Sequence, residues 1–175
     1  MSWLDPVERS SRRERRIFLF STLIALLVLL IDQASKWFTV KNFELMESYS
    51  IIHPVLNFTY ARNEGAAWSI LSGHVWFLFA FGMLAAVLMI LFFRRLAEGF
   101  PERYYALLLI FAGIAGNSFD RAFHGAVIDF IHVHYYNIWH YPIFNVADMA
   151  ICTGVGIYML SGLLRKSPAG EKKSC

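Results

Sequence analysis

Residues 74–93, HVWFLFAFGMLAAVLMILFF, run for twenty positions without a formal charge, and Arg94 and Arg95 end the run. A helix needs about 20 apolar residues to cross a bilayer. This stretch therefore predicts a membrane-spanning helix, and the rest of the chain must be arranged around that commitment. Three further runs approach the same length. Residues 17–38 qualify with Asp32 and Lys36 at their far end, 104–121 run into Asp120 and Arg121, and 143–164 carry Asp148 near their start. Composition agrees: 57% of the 175 residues are hydrophobic and only 17% are charged, below the roughly 25% of a soluble domain. The expected fold is an all-α integral membrane protein, one polytopic domain over residues 1–175 with four transmembrane helices.

The basic segment before residue 17 resembles the start of a secretory signal. No small-residue cleavage site follows it, and apolar character resumes at Trp37, Phe38 and Val40, so an uncleaved first helix is expected. Two connections are long, 39–73 and 122–142. Within the first, residues 51–60 (IIHPVLNFTY) are rich in β-branched and aromatic residues and predict a short strand or two. A small extracytoplasmic β-containing domain is expected there. Asn63, Glu64 and Gly65 read as a turn, and the GxxG spacing of Gly113 and Gly116 reads as close helix packing.

Lys and Arg set the orientation. Twelve of the sixteen flank the runs at the N-terminus, in the 94–103 connection and in the C-terminal tail. The positive-inside rule places those segments, and both termini, in the cytoplasm. Asp32 and Asp120 then close their spans outward. Asp148 opens its span from outside, roughly 7–8 Å along the helix from Ile143. Asp129 lies in the outer connection, so all four carboxylates fall at the outer face. Carboxylates in or beside a span are costly and mark a functional site. Two held close cannot both ionise easily, so one keeps a proton. Such a pair can draw a proton from water and donate one to a leaving amine.

Other readings of the same residues stand beside this one. Asp32 and Lys36, four apart, make a helix-end ion pair with Lys36 snorkelling to the interface. Asp120 and Arg121 make an interfacial ion pair, Asn63 is a turn former, and Asp148 is an acidic residue suited to a helix start. His132, His134 and His140 with Asp129 could hold zinc, but no HExxH is present. Ser69 and Ser72 lack an evident base, and Cys152 in an apolar run reads as inert packing. With Cys175 the only other cysteine, no disulfide framework is expected. The carboxylates could also serve a proton- or ion-coupled transporter subunit, or be structural in a membrane assembly factor. No nucleic acid, metal or cofactor is expected, and with no coiled coil a monomer is expected.

The segments IDQASK (31–36), NEGAAWSIL (63–71), AGNSFDRAFHGAVIDFI (115–131) and FNVADMAI (144–151) resemble, in order, the four sequence blocks of lipoprotein signal peptidase (signal peptidase II). The resemblance implies an aspartic endopeptidase of the bacterial cytoplasmic (inner) membrane with its site at the outer face. It implies a diacylglyceryl-modified prolipoprotein as substrate, presented with membrane lipid and cut before the lipidated cysteine, and inhibition by globomycin. By resemblance the catalytic pair is Asp129 and Asp148. Asp32, Lys36, Asn63, Asn117, Asp120, Arg121 and Asn145 are the substrate-binding or supporting residues. Trp68, Ser118, Phe119 and Met149 depart from the commoner family residues at positions outside that set.

Overall fold

The computed structural model describes residues 6–66, 70–136 and 138–165, with side chains from residue 11 onward. Trp68, Ser69, Cys175 and the basic tail from Lys166 lie outside the described residues. Among those described, four helices are long and apolar enough to cross a membrane. They are α1 (Pro6–Asn42), α2 (Val75–Ala97), α3 (Pro101–His124) and α4 (Val146–Leu164). The 37 residues of α1 reach about 55 Å, well beyond a hydrocarbon core, so its basic first turns extend past the apolar stretch. α3 starts with Pro101 in its first turn, where a missing N–H costs nothing, and stops at Gly125, whose φ of 67° suits the left-handed cap.

The helices turn apolar side chains outward. Leu30, Phe81 and Leu91 are 68%, 63% and 70% exposed, the pattern of a lipid-facing surface. α3 is the central helix and packs against α1, α2 and α4. Small residues allow the approach. A Cβ on Gly113 would run into the Ala147 carbonyl oxygen, and one on Gly116 would lie 2.6 Å from Asp32 Oδ2. The packing reading of the GxxG pair is correct, and Gly116 also makes room for a carboxylate.

A four-stranded antiparallel sheet in the order β1-β2-β3-β4 sits at one end of the helices. Its strands are β1 (Ser48–Ile52), β2 (Leu56–Asn63), β3 (Val127–Tyr135) and β4 (Trp139–His140). The first connection supplies only half of it. β3 and β4 come from the second connection, outside residues 51–60 where strands are expected. The alternation there is obscured because Ala126–Phe130 are all buried. A register shift in β2 between Phe58 and Ala61 inserts one extra residue opposite β3. Side chains alternate along a strand, so with unshifted pairing beyond Phe58 Asn63 would face away from Asp129.

Candidate active site

Where the sheet meets α1, α3 and α4, the described residues form a buried polar cluster. Lys36 is its cationic centre. Its Nζ lies 2.8 Å from Asp32 Oδ2, 2.8 Å from Asp120 Oδ2 and 3.1 Å from Asn117 Oδ1. Lys36 is 3% exposed and both carboxylates 1%, so the helix-end pair exists but does not snorkel. Pairing Asp120 with Arg121 is likewise corrected. One position apart on a helix, the two point in different directions, and Asp120 turns inward to Lys36 and to the Ile128 N–H at 3.1 Å. Asp32 Oδ1 accepts from the Ala147 N–H at 2.8 Å and ties α1 to the start of α4. Gln33, which the sequence reading passed over, donates to Asp32, Asp120 and the Gly116 carbonyl within 3.1–3.3 Å. Its position beside Asp32 in the first quoted block was the available signal.

A second layer holds Asp129 and Asp148. Asn145, fully buried, is the N-cap of α4 in extended conformation, with φ −132° and ψ −177°. Its side-chain oxygen accepts from the Asp148 N–H at 2.9 Å, and Asp148 Oδ2 accepts from the Asn145 N–H at 3.2 Å. This is a reciprocal capping box, so Asp148 does serve the helix start. The same Asn145 donates from Nδ2 to Asp129 Oδ1 at 2.7 Å. Asn117 donates to Asp148 Oδ1 at 2.7 Å while its own oxygen accepts from Asn145 and Lys36. Asn63 has two roles. It closes its turn by accepting from the Gly65 N–H, and it donates to Asp129 Oδ2 at 3.2 Å.

Asp129 is 2% exposed. Burial, and then the charge of Asp148, push its carboxyl up to about 7 against the opposing pull of Asn63, Asn145 and Lys36. Asp148 is only partly buried and borders a groove of about 360 Å³. Phe81 and Gly82 of α2 form one wall, Ile151 and Cys152 of α4 the other, and Asn117 and Ser118 of α3 the floor. Arg121 lines it too. It donates to the Gly65 carbonyl at 2.9 Å, and its Nε has no partner among the described residues. Cys152 is exposed along this groove, not packed in a core as its apolar run suggested.

The histidines stand apart from this cluster. His132, His134 and His140 stack with ring centroids 5.1–5.8 Å apart, and His140 Nδ1 lies 3.2 Å from His132 Nε2. Burial, His134 and His140 together depress the basicity of His132. Among the described residues, no three His, Cys, Asp or Glu side chains are arranged to hold a metal ion.

A helical bundle with lipid-facing walls, a small sheet at one end and neighbouring carboxylates beside a lateral groove define a multi-pass membrane protein with a hydrolase-like site. A sequence profile described as signal peptidase (SPase) II matches residues 24–164. The chain therefore belongs to the signal peptidase II family of membrane peptidases. Solved structures agree. One, described as a bacterial membrane enzyme determined in meso at 2.3 Å resolution, is 35% identical, covers 89% of this chain and 94% of its own, and superposes with a TM-score of 0.79. Another, a bacterial membrane enzyme determined in meso at 1.9 Å resolution, is also 35% identical. It covers 85% of this chain and 94% of its own, with a TM-score of 0.74.

Proposed function

We propose that the protein is an aspartic endopeptidase that removes signal peptides from diacylglyceryl-modified prolipoproteins, cutting before the lipidated cysteine, with Asp129 and Asp148 as its catalytic pair. The observation that carries this reading is the joint orientation of both carboxylates by Asn145 beside the groove between α2 and α4. A substrate whose diacylglyceryl chains and signal helix lie in the bilayer reaches such a groove sideways. Each buried CH₂ contributes about 0.8 kcal/mol to keeping it in the membrane plane.

In this mechanism water sits between the carboxyls. One carboxylate takes its proton as oxygen attacks the scissile carbonyl, and the proton on the other stabilises the developing oxyanion. Collapse of the tetrahedral intermediate breaks the C–N bond, and a carboxyl proton goes to the leaving amine. Arg121 and Asn63, on the groove wall, are suited to hold substrate carbonyls or the lipid ester. Asp32, Lys36, Asp120, Asn117 and Asn145 support the pair. Among the described residues the buried carboxylates all lie at the sheet end, which supports hydrolysis over a relay across the membrane. The charge distribution supports cytoplasmic termini and a site at the outer face of the cytoplasmic membrane. Globomycin inhibition and monomeric action are expected with this reading.

The test is cleavage of a diacylglyceryl-modified prolipoprotein by purified protein in detergent, with a chelator present. Wild type is expected to cut, and folded Asp129→Asn and Asp148→Asn to lose roughly 10²–10⁴-fold in turnover. Near-wild-type turnover in either variant overturns the pair.

A further inference from the structure

At the opposite end of the bundle a second cavity, of about 660 Å³, opens between α1, α2 and α3. It is separate from the carboxylate site: Tyr104 on its wall and Asn117 at the site are thirteen residues apart on α3, roughly 20 Å. Its inner walls are apolar, formed by Phe18, Met89, Phe93, Leu108 and Phe111. Its rim is polar, with Arg15 from α1, Arg94 from α2, Glu14, Ser11 and Tyr104.

The charges on this rim are unbalanced. Two other arginines near this end are paired. Arg103 lies 2.9 Å from Glu98, and Arg165 holds Glu102 in a two-pronged contact. Neither Arg15 nor Arg94 has an ion-pair partner among the described residues, although Glu14 shares their rim. Arg13, Arg16 and Arg95 stand in the same turns and add to the positive field. An apolar cavity capped by guanidinium groups at a membrane boundary has the chemistry of a binding site for an anionic phospholipid. The phosphate meets the fork-shaped donors and an acyl chain fills the cavity. A zwitterionic lipid would bring a choline cation to the same arginines.

We infer that the cavity between α1, α2 and α3 is a specific site for an anionic phospholipid, with Arg15 and Arg94 holding its phosphate. The site touches none of the proposed catalytic machinery, so this inference stands independently of the proteolytic reading.

Native mass spectrometry of detergent-purified protein, offered equimolar phosphatidylglycerol and phosphatidylcholine of matched chains, tests it. Retained lipid on wild type is expected to favour phosphatidylglycerol about fivefold, given roughly 1 kcal/mol per juxtamembrane arginine less the opposing Glu14. The Arg15→Ala/Arg94→Ala variant should fall below about twofold. The Arg13→Ala/Arg95→Ala variant removes equal charge away from the cavity and should keep the preference. Leu108→Trp, which fills the cavity without touching charge, should reduce retained phosphatidylglycerol at least fivefold (an estimate of about 1 kcal/mol). Circular dichroism at wild-type helicity qualifies each variant for comparison. No preference in wild type, equal loss in the Arg13/Arg95 variant, or full retention in Leu108→Trp overturns the inference. So does displacement of the bound lipid by soluble glycerol phosphate, which would show a phosphate site without a lipid component.

Discussion

Asn145 Nδ2 lies 2.7 Å from Asp129 Oδ1. The oxygen of the same amide caps α4 at the Asp148 N–H. One side chain therefore sets the relative position of two carboxylates carried by different elements, a strand and a helix. Loss of the cap alone costs about 1 kcal/mol, whereas loss of the Asp129 contact frees a carboxyl of the proposed catalytic pair.

Asn145→Ser separates these two roles. Serine is as good an N-cap as asparagine, but its short hydroxyl cannot cap α4 and also donate to Asp129. The variant keeps the cap but loses the bonds to Asp129, Asn117 and the Ile128 carbonyl, so its thermal midpoint is expected to fall less than that of Asn145→Ala while turnover falls roughly 10- to 100-fold, the scale of a 1 Å misplacement. Asn145→Ala should lose both. Equal turnover in Asn145→Ser and wild type would remove Asn145 from the positioning of Asp129.

Lys36→Met tests the polar core beneath the pair. Methionine fills similar volume but leaves Asp32 and Asp120, both 1% exposed, without their shared cation. Breaking a buried pair by removing one partner typically costs about 3–5 kcal/mol. The expected result is a large drop in unfolding midpoint in detergent, partly restored when Asp120→Asn removes one uncompensated charge. An unchanged midpoint would mean that water, not Lys36, satisfies these carboxylates.

The spans and the carboxylate cluster were legible because both follow from long-range rules. An uncharged twenty-residue run has few folded alternatives, and the charge bias of the connections sends Asp32, Asp120, Asp129 and Asp148 to one end. The partners within the cluster were less legible. Asp120 pairs with Lys36 on another helix instead of its neighbour Arg121, a choice made by side-chain direction. β3 escaped notice because burial on both faces erases the alternation that reveals a strand. Asn63 read as a turn former because its reach to Asp129 depends on the register shift in β2 between Phe58 and Ala61, which no local pattern announces.

The contacts of Gly116 and Gly156 give opposite expectations for the same substitution. A methyl at Gly116 would lie 2.6 Å from Asp32 Oδ2 and 3.3 Å from Ala147 Cβ, whereas one at Gly156 meets nothing within 4 Å. Gly116→Ala is expected to lower stability by about 1–3 kcal/mol and to disturb the Lys36 cluster. Gly156→Ala, in the interior of α4, should raise stability by roughly 0.5–1 kcal/mol through helix propensity. Thermal midpoints of the two variants, measured in one detergent, check the pair. Similar shifts would mean that α3 and α4 do not pack this closely.

The carboxyl of Asp129, raised from 3.8 to about 7, ties stability to pH. Between about pH 4 and pH 7 the folded protein keeps a proton that the unfolded chain has released. Folding is therefore linked to proton binding, and stability falls as pH rises through this window. The contribution is fully present below the unfolded value, is lost as pH passes the folded value, and changes no further above it. Asp129→Asn has no such group, so its thermal midpoint should lack this fall. The difference between the two proteins should grow to the disadvantage of wild type from pH 5 to about pH 7.5 and then level off. Turnover should follow the same ionisation, declining above about pH 7 as the proton donor is lost. Parallel midpoint curves from pH 5 to 9 would show that Asp129 does not hold the proton, and the acid role would then pass to Asp148.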